Sequence, residues 1–387
     1  MYRDTGLCGY WNEDKLVGIR NHVAILGLSP FCSQAVKLIS DEIAGTIPLP
    51  QLHGRNELGE NLERFNNSML NLALNPNIHS LLVVGYEPKT TLNFLNEFKR
   101  KSKKPVDYVI LLENGGMIET VKSGAKKALE MMVNASEIKK EPINLRDLTV
   151  GVKCGGSDAT SGIVSNPATG KVVDRIIDEG GTVIFSETTE IIGAEHILKK
   201  RAANETVARK IVEAAMGNED LARKAGIDLV GINPVPDNIA GGISTIEEKS
   251  LGAIMKSGSR KIVDVIGYAE IPHGKGLYFM DSPSAAHEVL TALSAAGSQL
   301  VLFSTGTGNP SGGPGITPVV KITGNPRTAS SMYDHIDVNI SQVISHEINI
   351  EEAADYLYLT MIKIVNGKLT RGEILKNWDF SPVPTGL

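Results

Sequence analysis

The sequence predicts an α/β protein built from two parallel-sheet domains, and three observations carry that expectation. At 387 residues the chain exceeds what one ordinary hydrophobic core serves, so two domains are expected. Its 39 glycines, against an aromatic content of 5%, suit a fold with many tight strand-to-helix turns. Short apolar runs alternate with amphipathic stretches through both halves, the pattern of a parallel sheet covered on both faces.

Residues 1–20 are polar and aromatic, and the run VAILGL (23–28) then fits a buried strand. Residues 32–44 read as a helix with Val36, Leu38, Ile39 and Ile43 on its apolar side, and TIPLP (46–50) as a second strand. Over residues 57–74, Leu58, Leu62, Phe65, Met69 and Leu72 keep helical spacing. SLLVVGYE (80–87) and VDYVILLE (106–113) are strands, each followed by a helix, at 90–101 and 118–133. The charged stretch SEIKKEPINLRD (136–147) breaks this repeat and places a boundary between a first domain, 1–142, and a second, 143–387.

The second half begins again with a strand at 149–153, a helix at 168–179, the strand TVIFSE (182–187) and a helix at 192–201. A long amphipathic helix, 205–225, and a Pro-, Asn- and Gly-rich loop, 233–244, follow. Residues 246–255 read as a helix capped by Ser244 or Thr245, with Glu247 and Glu248 suiting its first turn. GLYFMD (276–281) and QLVLFST (299–305) are strands around a helix at 284–296; TPVVKITG (317–324) is another strand. Residues 329–333, a short DVNI run and a helix at 350–365 close the chain.

Net charge is -5, which argues against a nucleic-acid partner. No window approaches the roughly 18 uninterrupted apolar residues of a membrane span, and the N-terminus lacks a signal peptide's apolar core. The three cysteines, Cys8, Cys32 and Cys154, show no CxxC spacing, which suits reduced thiols in a cytoplasmic protein. No GxGxxG opens a helix after the first strand and no GxxxxGK[ST] occurs, so no NAD or other nucleotide cofactor is expected.

Chemistry-bearing residues gather after two strands. The run ending Cys154-Gly155-Gly156-Ser157-Asp158 offers ligands or proton-transfer groups beside glycines that let a backbone approach a ligand. The same residues also read as a tight turn with a buried thiol and a helix cap. About 30 residues on, one βα unit's length, come Glu187, Glu190, Glu195 and His196, suited to a divalent metal or to acid–base work. They read equally as a helix start with solvated carboxylates. Loops at the carboxyl ends of neighbouring parallel strands converge on one crevice, which is where the two groups would meet. The loop Thr305-Gly306-Thr307-Gly308 has N–H groups able to cradle an anion, or is a plain turn. His53 and Arg55, and Arg20-Asn21-His22, are polar groups beside strands of the first domain.

The segment GVKCGGSDATSGIVSNPATGKVVDRIIDEGGTVIFSETTEIIGAEHILKKRA resembles the signature of the altronate and galactarate dehydratases. GYWNEDKLVGIRNHV, GGISTIEEKSLGAIMKSG, GLYFMDSPS and STGTGN extend that resemblance, in order, over nearly the whole chain. It implies a first domain used in dimerisation and a C-terminal Rossmann-like variant, knotted in the family, that holds the active site. It also implies a divalent metal, iron or manganese with magnesium as a third option.

Two positions depart from the sugar-acid dehydratases. Where these usually carry cysteines in the first domain, this chain reads HGRNELGEN and VVGYEPK. Those stretches, with GNPRTASSMYDHIDVNIS, look closer to the large subunit of the (2R)-sulfolactate sulfo-lyases. The amino-terminal SAF domain of the long dehydratases is missing, which implies a separate SAF-domain small subunit as partner, beside a homodimer of this chain.

Both chemistries are one elimination. A base takes the C2 proton of a small 2-hydroxy acid, a group leaves C3, and the enol becomes a 2-oxo acid. Water leaves in a dehydratase; sulfite leaves in a sulfo-lyase, giving pyruvate. The charge that builds on the carboxylate oxygens needs a metal or a cation. The resemblance implies Glu187, Glu195, His196 and Lys249 as catalytic residues, and Cys154, Ser157, Asp158, Glu247 and Glu248 as metal-side residues. Arg20, Asn21, His53, Arg55, Thr245 and Thr305 would bind substrate, with Arg55 on the C3 substituent. The expected function is sulfo-lyase-like; a sugar-acid dehydratase and a non-catalytic acid-binding or assembly subunit are the alternatives.

Overall fold

The computed structural model describes residues 6–54, 57–224, 226 and 233–382. In the first half, β3 (His22–Gly27), β4 (Ile47–Leu49), β5 (Ile78–Gly85) and β6 (Val106–Ile110) form a parallel sheet in the order β4-β3-β5-β6. The helices α1 (Ser33–Glu42), α2 (Glu60–Ala73), α3 (Pro88–Lys101) and α4 (Met117–Ser136) cover it. Each bears an apolar side on the sheet and a polar one outward, which is why the strands between them read as unbroken apolar runs.

In the second half seven strands, all parallel, run β10-β11-β9-β8-β12-β13-β14. They are β8 (Thr149–Cys154), β9 (Thr182–Phe185), β10 (Ile262–Ile266), β11 (Gly276–Met280), β12 (Leu300–Ser304), β13 (Val319–Thr323) and β14 (Val338–Asn339). The chain leaves β8 for β9 on one side and later returns to β12 on the other. The order therefore reverses at β8, and a crevice opens above the carboxyl ends of these central strands. Register levels those ends: Val152 lies opposite Phe185, and Cys154 opposite Ser304.

Two features go beyond the sequence expectation. A small antiparallel sheet joins β1 (Cys8–Trp11) to β2 (Val17–Gly18) and to β7 (Glu141–Pro142), tying the start of the chain to the 136–147 stretch. These pieces are too short to show a period. The strand β10 carries Asp264, paired to Lys210 at 2.8 Å, in its middle. That edge strand, half-exposed and interrupted by a charge, lacks the apolar run of a buried strand.

The two sheets share one apolar core and a set of buried amides. The Asn75 side chain donates to the carbonyls of Ser294 (2.7 Å) and Ser298 (3.0 Å), and that of Asn77 to those of Gln299 (2.8 Å) and Ile316 (2.9 Å). Both asparagines are fully buried, so each bond left unmade would cost the desolvation of an amide. Among the described residues no helix is long and apolar enough to cross a membrane.

Candidate active site

The crevice above β8 and β9 holds a cluster of charges that water does not reach. Lys153 and Cys154 end β8; Glu187 and Glu190 lie in the turn after β9. The fifth member, Lys256, comes from the turn that follows α9 (Ile246–Ile254). The side chains of Lys153, Glu187 and Lys256 are 1%, 0% and 2% exposed, so their charges must be compensated locally.

Glu187 is the hub. Its Oε1 accepts from Lys153 Nζ at 2.5 Å, and its Oε2 from Lys256 Nζ at 2.6 Å and the Cys154 backbone N–H at 2.9 Å. Lys256 Nζ also reaches Glu190 Oε2 and Cys154 Sγ, each at 3.1 Å, and the Cys154 thiol donates to Glu190 Oε2 at 2.9 Å. Two carboxylates thus face two ammoniums.

Backbone devices hold these groups in place. Glu187 adopts φ 82°, a left-handed conformation that disfavours side chains. Ser282 pins it: its hydroxyl accepts from the Glu187 N–H at 3.2 Å and its carbonyl from the Thr188 N–H at 2.9 Å. On the opposite wall, α5 (Asn166–Asp178) presents Gly170 to the Lys256 turn, where a Cβ would fall 2.2 Å from the Met255 carbonyl oxygen. Arg201 clamps the same turn, donating to the Ser257 hydroxyl at 2.8 Å and its carbonyl at 2.9 Å.

Burial pushes the Cys154 thiol up, Glu190 and Glu187 add to the effect, and Lys256 opposes it; the sulfur keeps its proton at neutral pH. Burial would also raise Glu190, but the ammoniums of Lys256, Lys249 and Lys153 hold its carboxyl well below the usual range. Burial would strip the proton from Lys256; a charged Cys154 and the two carboxylates push the other way and keep it an ammonium. Since Cys154 is a thiol, the carboxylates carry that effect.

The Cys154 sulfur and one oxygen each from Glu187 and Glu190 lie within 4.8 Å of one another, a spacing able to hold a metal ion. Thiol and carboxylate donors suit iron, manganese or zinc better than magnesium. The centre of that triad is where the Lys256 ammonium points.

Cys154 and Glu187 therefore meet as the sequence suggests; the remaining candidates sit around them or apart. Asp158 is a cap: its Oδ1 accepts from the Ser161 N–H (2.8 Å) and Thr160 hydroxyl (2.7 Å), and its Oδ2 from the Asn325 amide (2.7 Å). Ser157 lines a cavity of about 260 Å³ with Asn166, Glu248 and Lys249; its buried hydroxyl has no partner among the described residues. Lys249 is half-buried there and donates to Asn233 Oδ1 at 2.8 Å.

Thr245 caps α9 by accepting from the Glu248 N–H at 3.2 Å. Glu248 accepts from the Ser244 N–H (2.8 Å) and hydroxyl (2.5 Å), and with Glu247 it is exposed to solvent and no member of the triad. Glu195 is half-buried and His196 exposed at the start of α6 (Glu195–Lys200), adjacent helical residues that point apart. Thr305 is buried after β12, its hydroxyl accepting from the Gly308 N–H at 3.1 Å.

In the first half, Arg20 forks onto Glu373 at 2.6 and 3.0 Å and donates to the carbonyls of Ile19, Ile364 and Lys368, which spends its guanidinium on the fold. The Asn21 amide donates to the Ala135 carbonyl at 2.7 Å. His53 lies 3.7 Å from Glu57 and lines a separate cleft of about 550 Å³ between the halves, with His287 and Trp378. Arg55 lies outside the described residues.

The sequence reading did not single out Lys153 and Lys256. A signal existed for Lys153, the lone charge in the apolar run TVGVKC, but not for Lys256, which stands at a helix end as a solvated lysine does. A lysine in a strand buried on both faces needs a partner, and the acidic turn after the next strand supplies it.

The chain that carries this thiol–carboxylate–ammonium cluster at its topological switch point is an enzyme of the lyase class, as its family and relatives show. The chain belongs to the D-galactarate/altronate dehydratase family. The family's C-terminal domain matches residues 145–387, and the second domain of D-galactarate dehydratase/altronate hydrolase matches residues 9–136. It is 39% identical over 376 residues to the (2R)-sulfolactate sulfo-lyase subunit beta of Chromohalobacter salexigens, spanning 96% of this chain and 95% of that protein. It is 33% identical over 379 residues to the altronate dehydratase of Bacillus subtilis, spanning 94% of this chain and 75% of that enzyme. With the altronate dehydratase of Escherichia coli the figures are 31% over 370 residues, 92% and 73%.

Proposed function

We propose that this chain is the large subunit of a lyase that eliminates sulfite from C3 of sulfolactate, or of a close 2-hydroxy acid, giving pyruvate. The observation that carries the reading is the likeness to the sulfo-lyase subunit beta over 96% of the chain; the buried pairing of Glu187 and Glu190 with Lys153 and Lys256 supports it, beneath a helix that lines a cavity of about 260 Å³. The substrate carboxylate sits against Lys249 and the unpartnered Ser157 hydroxyl. Glu190, whose charge feels Lys249, takes the C2 proton, and the helix carrying Lys249 packs on the turn that carries Glu190. Charge passing to the substrate oxygens is opposed by the neighbouring ammoniums. The pair C2–H and C3–S breaks, C2=C3 forms, sulfite departs with the electron pair, and the enol takes a proton at C3 as it becomes pyruvate.

An iron or manganese ion would supply a Lewis acid for the same charge, and Cys154, Glu187 and Glu190 are donors of the right kind, but the Lys256 ammonium fills their centre, so the elimination is assigned here to the residues alone. The naming of the sulfo-lyase relative as a subunit beta supports a small SAF-domain partner, and the homodimer belongs to the same reading. The Rossmann-like, knotted description of the second domain also belongs here; the all-parallel order with its reversal at β8 supports the Rossmann-like part.

The test is incubation of the chain, with its small subunit, on sulfolactate and separately on altronate. Sulfite and pyruvate in equal amounts support the reading. A 2-oxo sugar acid from altronate, with no sulfite from sulfolactate, moves the assignment to the dehydratases; no product from either overturns it.

A further inference from the structure

We infer that Lys256 is the resident cation of the Cys154–Glu187–Glu190 triad, and that a divalent metal enters only by displacing its ammonium. The geometry carries this. Lys256 Nζ lies 2.6 Å from Glu187 Oε2 and 3.1 Å from both Glu190 Oε2 and Cys154 Sγ, so it touches all three members of the triad at once. A metal bound by the same atoms needs a centre about 2.0–2.3 Å from each. Two positive centres cannot share that space, and like charges brought so close are costly.

The chain also holds Lys256 where it is. Its side chain is 2% exposed, so the ammonium has no solvent to retreat into. The turn that carries it is pressed onto α5, with Gly170 facing the Met255 carbonyl and Gly258 facing Asp174, where a Cβ on Gly258 would meet Oδ1 at 2.3 Å. Arg201 fixes Ser257, the next residue, through two hydrogen bonds. Charge points the same way. With Lys153 on the far oxygen of Glu187, the two ammoniums already match the two carboxylates, and Cys154 is free to remain a thiol. Exchanging Lys256 for a neutral side chain leaves one uncompensated negative charge beside three ligand atoms, a vacancy of the sign and size a divalent ion fills.

The experiment uses the full-length chain, freed of metal with a chelator and titrated with Co2+, whose ligation by sulfur gives a charge-transfer absorption band. The wild type shows no such band and retains no stoichiometric cobalt after desalting. Lys256→Met shows the band, holds one ion per chain and binds at least about 100-fold more tightly than the wild type. Lys256→Arg, which keeps the charge, stays silent, and adding Cys154→Ser to Lys256→Met abolishes the band. Lys256→Gln, with a hydrogen-bonding side chain, replaces Lys256→Met should the latter not fold by circular dichroism. A wild type that shows the band as strongly as the variant overturns the inference, since the ammonium then does not exclude the metal. Folded neutral variants that bind no cobalt overturn it too, because the triad is then no cation site.

Discussion

Removing Glu187 and Lys256 singly and together tests whether the buried cluster is one balanced unit. Glu187→Gln keeps the shape of the side chain but removes its charge, leaving Lys153 and Lys256 facing Glu190 alone, with net charge +1. Lys256→Met leaves Glu187 and Glu190 facing Lys153 alone, with net charge −1. The side chains concerned are 0–5% exposed, so water screens neither surplus. Breaking one partner out of a buried pair costs about 3–5 kcal/mol, and each single variant falls in that range. In the double variant one carboxylate balance is restored: Glu190 faces Lys153 and the net charge is zero. It therefore loses no more stability than either single variant, a coupling of about 3 kcal/mol against additivity. The assay is reversible urea unfolding in chelator, followed by tryptophan fluorescence. Single losses that sum within about 0.5 kcal/mol would refute the reasoning, because independent sites add in that way.

Other outcomes follow from particular contacts. Gly170→Ala places a Cβ 2.2 Å from the Met255 carbonyl oxygen, so it shifts the Lys256 turn; the expected loss is about 1–3 kcal/mol, read by thermal melting. Asp158→Ala removes a helix cap and the Asn325 anchor, costing about 1–2 kcal/mol in the same melt, whereas Asp158→Asn recovers part of it. Burial, with the Arg20 guanidinium adding and Glu373 opposing, holds His22 down at about 4 from 6.5. Below the ordinary value the unfolded chain takes up a proton that the folded one refuses, so stability is full above pH 6.5 and falls as pH drops toward 4. The ceiling on that loss is about 3 kcal/mol, and His22→Leu flattens the step in urea midpoints measured from pH 4.5 to 7.

Much of the fold is visible in the residues because parallel sheets write plainly. Strands such as β5 and β12, buried on both faces, become unbroken apolar runs, and the helices between them show a clean apolar side. β10 does not, since an edge strand tolerates Asp264 in its middle, and the pairing of Cys8–Gly9 with Glu141–Pro142 joins segments far apart in sequence. In the site, Cys154 and Glu187 are legible as strand-end residues of the right chemistry. Lys256 is harder to see, because nothing local distinguishes a lysine that ends a helix in solvent from one that turns inward. Its inward course depends on Gly170 and Arg201, residues remote in sequence that define the space. Arg20 shows the reverse: an arginine beside a strand reads as an anion ligand, but the fold uses it to bind Glu373 and three carbonyls.

The most direct test of the central claim, that this cluster removes the C2 proton, is the rate of C2–deuterium cleavage in 2-deuterated sulfolactate. It is followed by NMR in the chain with its small subunit. The account predicts loss of deuterium in step with pyruvate formation in the wild type, slowed at least about 100-fold in Glu190→Gln, and unchanged per folded molecule in Asn21→Ala. Cleavage at the wild-type rate in Glu190→Gln would contradict it.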